Sequence, residues 1–410
     1  MNVLNVVVIN GGRGAATVIP ALLDRQGLKV TSVVNAYDDG KSTGEIRRFF
    51  GMLGPSDIRK VQELMLPQDD PEYDKYLHLF RYRYPQGYSR VQIYSDLDNF
   101  AQGISNDLVG IQLDNDSVRV GIRKFVSEFI VGLRLIEQVN DEEFDFTDCS
   151  IMNCIYAGAF LAFKRNIEMA TQAIDRLFKL RGTVLPTSIE DKKLVALREN
   201  GEMLYSEAEI VELRSNVRIE RVYLLDRSLD RLRFDKLSTC EKRAYLEQHH
   251  CYVGVSSGVK LALRQADIII YAAGTQHSSL YPTYLSTGLA QSIADNRSAF
   301  KAFVTNIGAD YETPSYKASD YIKGAYRYLN LSDGRDYVIS ELFDVVLVNK
   351  SRFKADETYV IFDEEGFFDI PVPRVMGEFE SNAKPGRHDG QKVVDSILNN
   401  YSRFARLFPS

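Results

Sequence analysis

The feature that most limits what this chain can fold into lies near its start. Val3 to Ile9 is an almost unbroken apolar, β-branched run that ends directly in Asn10-Gly11-Gly12-Arg13-Gly14. Such a run is the pattern of a strand buried on both faces. Ala15 to Leu23 follows with helical spacing (Ala15, Val18, Ile19, Leu22, Leu23), and Lys29 to Asn35 reads as a second short strand. Strand, tight turn, helix and strand in this order predict a parallel pair joined by a right-handed crossover. Glycine lets the turn bend sharply and bring its backbone against a ligand. The helix behind it offers unpaired N–H groups and the positive end of its dipole. The turn is therefore expected to receive a phosphate. Its spacing, Gly12-x-Gly14-x-x-Thr17, lacks the third glycine of the dinucleotide fingerprint, so a strand–helix turn without a ligand is the competing reading.

At 410 residues the chain exceeds one ordinary core, so two compact units, or one unit with an insertion, are expected. From about Pro67 the β-branched runs give way to Tyr-, Leu- and charge-rich segments. Val118 to Val139 keeps a long helical period, and Ile151 to Phe163 and Ile167 to Phe178 read as two packed helices in which Ala157-Gly158-Ala159 allows backbones to approach closely. Asn200-Gly201 between two apolar runs predicts a hairpin, and Ile219 to Leu225 another strand. The α/β rhythm then returns, with strands over Ala266 to Ala272, Phe300 to Ile307, Asp344 to Val348 and Tyr359 to Phe362, a helix that begins near Ser278 to Pro282, and a last helix from Gln391 to Leu407. The organisation read from this is a first part of the nucleotide-binding unit over 1–66, a helical insertion over 67–180, and a hairpin plus the remainder of that unit over 181–410.

Net charge is −6, which supplies no global basic field for nucleic acid or anionic lipid. No stretch reaches the roughly 18 apolar residues of a membrane helix. The early apolar run has no basic segment before it, so a secretory leader is not expected. Cys149, Cys154, Cys240 and Cys251 form no C-x-x-C pair and read as reduced thiols of a cytoplasmic protein. Neither a nucleic-acid nor a membrane partner is expected.

Three further segments carry chemistry. Asp38-Asp39-Gly40-Lys41-Ser42-Thr43-Gly44 imitates the end of a P-loop, but Asn35 stands where the first glycine belongs and two acids lie where phosphates would sit. Paired carboxylates at a strand end suit a divalent cation or a ribose hydroxyl; a solvated acidic loop is the alternative. In Gly54-Pro55-Ser56-Asp57-Ile58-Arg59, Asp57 is a natural helix cap, and Arg47, Arg48, Arg59 and Lys60 crowd the region. Gly274-Thr275-Gln276-His277-Ser278-Ser279 puts hydroxyls at a strand–helix junction, where open parallel sheets bind ligands or where hydroxyls merely cap. Asp389 is expected to cap the final helix.

Taken in order, these motifs resemble the 2-phospho-L-lactate transferase (CofD-like) family, which includes YvcK-type gluconeogenesis factors. The family pattern Gly-Gly-Gly-Thr-Gly looks like Asn10 to Gly14, Asp-Asp-Gly-Gly-Ser-Ser-Gly-x-x-Arg looks like Asp38 to Arg47, and Gly-Pro-Pro-Gly-Asp-x-Arg looks like Gly54 to Arg59, one residue shorter. Ser150-Ile151-Met152-Asn153, Leu185-Pro186-Thr187-Ser188, Ala273 to Ser279, Asn306, Asp320 and His388-Asp389 resemble the later elements. The departures are Asn10 for glycine, Arg13 for threonine, Lys41 for glycine and Met152 for glycine. Arg13 and Lys41 add positive charge where phosphates would lie.

The resemblance implies an α/β fold: a Rossmann-like, mostly parallel sheet with helices on both faces and a largely helical insertion. It implies a nucleotide-linked ligand, of UDP, GDP or dTDP type, at the carboxyl edge of the sheet. The expected activity is Mg²⁺-dependent transfer of a phospholactyl-type group from a nucleotide-activated donor. The alternative is binding of a UDP-sugar by a regulator of carbon metabolism or cell-wall synthesis without turnover. A nicotinamide-dependent oxidoreductase is a third reading, against which the missing third glycine counts. Asp38, Asp39 and Asp57 are the expected catalytic residues, with Asp38 and Asp39 as the Mg²⁺ ligands. The expected nucleotide and phosphate contacts are Gly11, Gly12, Arg13, Gly14, Asn35, Lys41, Ser42, Arg59, Asn153, Thr187, Gly274, Thr275, Ser278, Ser279 and Asn306. A homodimer is left open.

Overall fold

The opening apolar run forms β1 (Leu4–Asn10), the helical run α1 (Ala15–Leu23), and the next apolar run β2 (Leu28–Val34), which leads into the helix α2 (Lys41–Phe50). These elements belong to a computed structural model that describes residues 3–12, 14–350 and 358–407. Five further strands join them: β3 (Thr183–Pro186), β4 (Ile268–Tyr271), β5 (Phe300–Val304), β6 (Val345–Asn349) and β7 (Arg374–Gly377). The order across the sheet is β7-β6-β5-β4-β1-β2-β3, and every pairing is parallel. The fold is thus α/β and Rossmann-like. Because each strand enters the sheet in the same direction, all carboxyl ends lie on one edge. The order reverses between β1 and β4, and that is where open α/β sheets bind ligands.

Helices pack in two groups: α1 with the final helix Gly390–Leu407 and with α3 (Ser56–Leu64), and the helices at Ser257–Arg264, Leu289–Asp295 and Ala318–Asp333 with one another. Between β2 and β3 the chain is helical except for a hairpin of two-residue strands at Asp107–Leu108 and Ile111–Gln112. Its longest element, Asp116–Asn140, packs on Ile151–Ala162. One apolar core runs through the sheet and these helices alike. The Asn200-Gly201 hairpin forms as expected, with Gly201 at φ +84°, and Ile219–Leu225 pairs antiparallel with Lys193–Arg198 to complete a small three-stranded sheet. Among the described residues no helix is long and apolar enough to cross a membrane.

One expectation fails at the carboxyl half. Tyr359 to Phe362 is not a strand; Tyr359 and Ile361 make single bridges to Gly308 and Lys317. The seventh strand is Arg374–Gly377 instead, a half-exposed edge element preceded by Pro371 and Pro373. Prolines are tolerated at such an edge because no neighbour needs their missing N–H, and they hid it in the sequence. The turn after β4 opens as a wide π-helical turn, Gln276–Leu280, before a short α-helix at Tyr281–Tyr284.

Gly158 is the tightest helix contact. A Cβ there would come within 1.7 Å of the Phe125 carbonyl oxygen on the long helix. Alanine gains about 1 kcal/mol of helix propensity over glycine, but overpacking costs roughly 1–3 kcal/mol or more, so the steric term wins. Gly158→Ala should lower stability to urea by at least about 1 kcal/mol. Gly254→Ala, where nothing lies within 4 Å, should change it by less than about 0.5 kcal/mol.

Candidate functional site

At the switch point, the glycine turn is pressed between two other segments. A Cβ on Gly12 would lie 2.4 Å from the Asp57 Oδ1, and one on Gly14 would lie 2.4 Å from the Ala273 carbonyl oxygen. The side of Gly11 is closed in the same way by Ser279, at 2.8 Å. Any side chain at these positions would separate the turn from α3 or from the end of β4. Beside this contact two cavities open at the carboxyl edge. The larger, about 930 Å³, runs from Gly12, Gly14 and Gly274 to Asp310, Tyr311 and Arg387. The smaller, about 310 Å³, holds Asp38, Asp57 and Glu207 together with Lys41, Lys60 and Arg83. Lys60 and Thr275 line both, so the two adjoin.

The smaller cavity concentrates carboxylates from three distant segments. Burial, then the neighbouring charges of Asp38, Asp57 and Asp39, push Glu207 up to about 9. Burial and then Asp57 also raise Asp38, against the opposing pull of Lys60 and of the Gly40 N–H, which donates to its Oδ1 at 3.0 Å. Lys60 pairs with Asp57 at 2.7 Å. Arg47, 1% exposed, does not join the acids. It donates to the Tyr37 carbonyl at 2.5 Å, to Asp191 at 2.5 Å and to the Lys192 carbonyl at 2.7 Å, fixing the backbone that precedes Asp38. In the larger cavity Arg214 lies 4.0 Å over the ring of Tyr311, whose surface is 58% exposed.

Of the residues singled out in the sequence, Gly12, Gly14, Asp38, Lys41, Ser42, Asp57, Gly274, Thr275, Ser278, Ser279 and Asn306 line one cavity or the other. Others stand behind the lining as ties. Asn35 donates to the Ser278 carbonyl at 2.9 Å, and Thr187 lies 3.4 Å from the Thr283 hydroxyl. Asn153 reaches the Ser42 hydroxyl at 3.4 Å, while its buried Oδ1 has no partner. Arg59 is buried and donates to the Phe80 carbonyl, joining α3 to the helix Tyr73–Arg81. Asp39 accepts from the Ala208 N–H at 3.0 Å, at the start of the short helix Glu207–Glu212. Asn306 holds both polar atoms of the Gly274 peptide, at 3.0 and 3.1 Å. Asp389 caps the last helix, accepting from the Gln391 and Lys392 N–H groups. Arg13 lies outside the described residues.

Two acids were not foreseen. Glu207 reads in sequence only as the start of a short helix after Ser206, whose hydroxyl caps it. Glu312 is fully buried and accepts from the N–H groups of His277 and Ser278, both at 2.9 Å, and from the Ser278 hydroxyl at 2.6 Å. The amide cradle at the start of the 276–280 turn is thus taken by a carboxylate of the chain itself. Burial, then Asp310, raise Glu312 to about 8 against those hydrogen bonds.

Comparison with known proteins agrees over nearly the whole chain. The family model described as 2-phospho-L-lactate transferase CofD matches residues 6–366. A gluconeogenesis factor of Listeria monocytogenes is 25% identical over 96% of this chain and 94% of its own. A gluconeogenesis factor of Halalkalibacterium halodurans is 23% identical over 97% of each. A Bacillus halodurans protein of the UPF0052 family shares the fold, with a TM-score of 0.65, 19% identity, and coverage of 96% of this chain and 99% of that one.

The acid cluster has a measurable consequence. Between the ordinary carboxylate range and about 9, the folded chain keeps a proton on Glu207 that the unfolded chain has released. Stability contributed by this site therefore falls as pH rises through that window. Glu207→Gln should raise stability at about pH 8 by roughly 1–3 kcal/mol. The gain should vanish near pH 4, as read from urea unfolding at the two pH values. An equal gain at both would show that Glu207 titrates normally.

Proposed function

The chain belongs to the 2-phospho-L-lactate transferase CofD family, and from that membership we propose that it binds a nucleotide-linked sugar or acid phosphate across the two adjoining cavities, acting as a regulator of carbon metabolism as its relatives' name, gluconeogenesis factor, suggests. The observation that carries this reading is the cavity of about 930 Å³ at the point where the strand order reverses. Its size is that of a site for a nucleotide-sized ligand. The phosphates would lie beside Gly12 and Gly14, where the absence of a side chain at each lets N–H groups approach, with Lys60 as counter-charge between the cavities. The exposed ring of Tyr311, backed by the Arg214 guanidinium, offers a flat surface on which a base can stack. The group attached to the last phosphate would then enter the smaller cavity.

A second reading, transfer of a phosphate-containing group, is favoured by one feature of that smaller cavity. Glu207 and Asp38 are carboxyls held above the ordinary carboxylate range, Glu207 by burial and the charges of Asp38 and Asp57, Asp38 by burial and the charge of Asp57, the property expected of a general acid or base. Glu207 would give a proton to a departing oxygen or take one from an attacking hydroxyl. Among the described residues no three or more His, Cys, Asp or Glu side chains surround a common ion position. Mg²⁺ often takes only one or two protein carboxylates and completes its shell with water and phosphate. Asp38 and Asp57, facing the same cavity, fit that role better than Asp39, which is engaged by Ala208. The ion would neutralise charge on a diphosphate.

One experiment separates the two readings. The protein is incubated with UDP-, GDP- and dTDP-sugars and Mg²⁺, and both melting temperature and nucleotide release are followed. Ligand binding to the folded state raises the melting temperature. A shift with one nucleotide and no release supports the regulator; release that Glu207→Gln slows by about 10²-fold or more supports transfer. Absence of any shift with all three would sink the nucleotide reading. Gly12→Ala, which forces a methyl group against Asp57, should abolish the shift.

A further inference from the structure

The turn that carries Ser278 and Ser279 to the smaller cavity carries His277 into a different one. This third cavity, about 160 Å³, lies between the small three-stranded sheet and the helix Ala318–Asp333. His277 is 1% exposed, and its Nδ1 is buried without a hydrogen-bond partner. Burial, with help from Arg198 and Arg327, holds the imidazole down to about 3, so it is neutral at physiological pH. A buried polar atom left unpaired costs roughly 1–3 kcal/mol, which a bound group would recover.

The cavity walls supply the rest of a site. Tyr281 stacks on Tyr328 with ring centres 4.1 Å apart, and Gly324 leaves room for the Tyr281 hydroxyl, since a Cβ there would come within 2.0 Å of it. Arg218 is tied to Asp320 at 3.2 Å and lies over the Tyr316 ring. Arg327 is different. Among the described residues this exposed side chain has one hydrogen bond, to the Glu220 carbonyl and long at 3.4 Å, and no carboxylate partner. The Glu220 carboxylate is itself engaged by Arg243 at 2.8 Å. A small cavity thus combines a guanidinium free of any carboxylate among the described residues, a second guanidinium tied to Asp320, and an unpaired imidazole nitrogen.

We propose that this cavity is a second ligand site, separate from the main cleft, that takes a small oxyanion, a carboxylate or a phosphate, between Arg327 and His277. The guanidinium fork matches either oxyanion, and the neutral imidazole supplies a hydrogen bond. A cavity of about 150 Å³ accommodates a molecule the size of benzene, so the ligand has on the order of six non-hydrogen atoms. The site stands whether or not the main cleft binds a nucleotide.

The chain has five histidines, few enough to follow singly by NMR of protein labelled with ¹⁵N in the imidazole rings. The spectrum of His277→Asn identifies the His277 signals. Inorganic phosphate and malonate are titrated separately, with sodium chloride at matched ionic strength as reference. The expected result is a saturable movement of the His277 signals with phosphate, with malonate or with both, absent with chloride, and weakened about tenfold or more in Arg327→Met. Response to phosphate alone assigns a phosphate ligand, and response to malonate alone a carboxylate. If Arg327→Met does not fold, Arg327→Lys replaces it, and a weakening of the same direction is expected because the fork is lost. No movement with either probe, movement equal to that in chloride, or a titration unchanged by the Arg327 variant would each overturn the site and leave a water-filled void.

Discussion

The architecture hangs on one close contact. Gly12 and Gly14 sit so near Asp57 and the Ala273 carbonyl that no side chain fits at either position. That contact brings together the end of β1, the first turn of α3 and the end of β4. The strands on either side of the reversal can be neighbours and still leave a cleft above them because the turn occupies so little volume. A glycine in an ordered turn forfeits more chain entropy than any other residue. Here that cost sets how close the cleft floor lies to its walls.

The same closeness explains the electrostatics above the floor. Asp38 comes from the loop after β2, Asp57 from the start of α3 and Glu207 from a helix set between two strands of the small sheet. Lys60 relieves Asp57, while Arg47 spends its hydrogen bonds largely on backbone. Carboxylates confined this way avoid full ionisation by holding protons, and Glu207 does so most strongly. Glu312 repeats the device across the cleft, where it fills the amide cradle of the 276–280 turn. A further anion approaching that turn would meet a carboxyl already in place.

Much of this was legible in the residues. The opening strand, turn and helix announce themselves because buried parallel strands are apolar on both faces and because glycine has few other reasons to recur at such a junction. The final helix and the Asn200-Gly201 hairpin were legible for similarly local reasons. Glu207 and Glu312 were not: Glu207 takes its significance from carboxylates more than a hundred residues away in the chain, Glu312 from a turn 34 residues before it, and nothing local distinguishes either from a surface acid. Asn35, Thr187 and Arg59 were read as ligand contacts because polar residues at strand ends and in helix starts invite that reading. Their hydrogen bonds run to backbone or to a neighbouring hydroxyl, so they shape the walls of the cleft. The edge strand Arg374–Gly377 was masked by its prolines.

Lys41 joins the two levels. It stands where the family pattern has glycine, and its φ of +44° is a left-handed conformation that costs a side-chain-bearing residue on the order of 1–2 kcal/mol. Glycine would remove that strain, so the lysine is retained against a local penalty. Its position in the lining of the smaller cavity, among Asp38, Asp57 and Glu207, supplies the compensating term: a positive charge where burial has concentrated acids. A backbone under strain at a ligand cleft is the usual mark of a position selected for what it does there. The smaller cavity is thus marked by charge balance, and Lys41 is where its lining departs from the glycine of the family pattern.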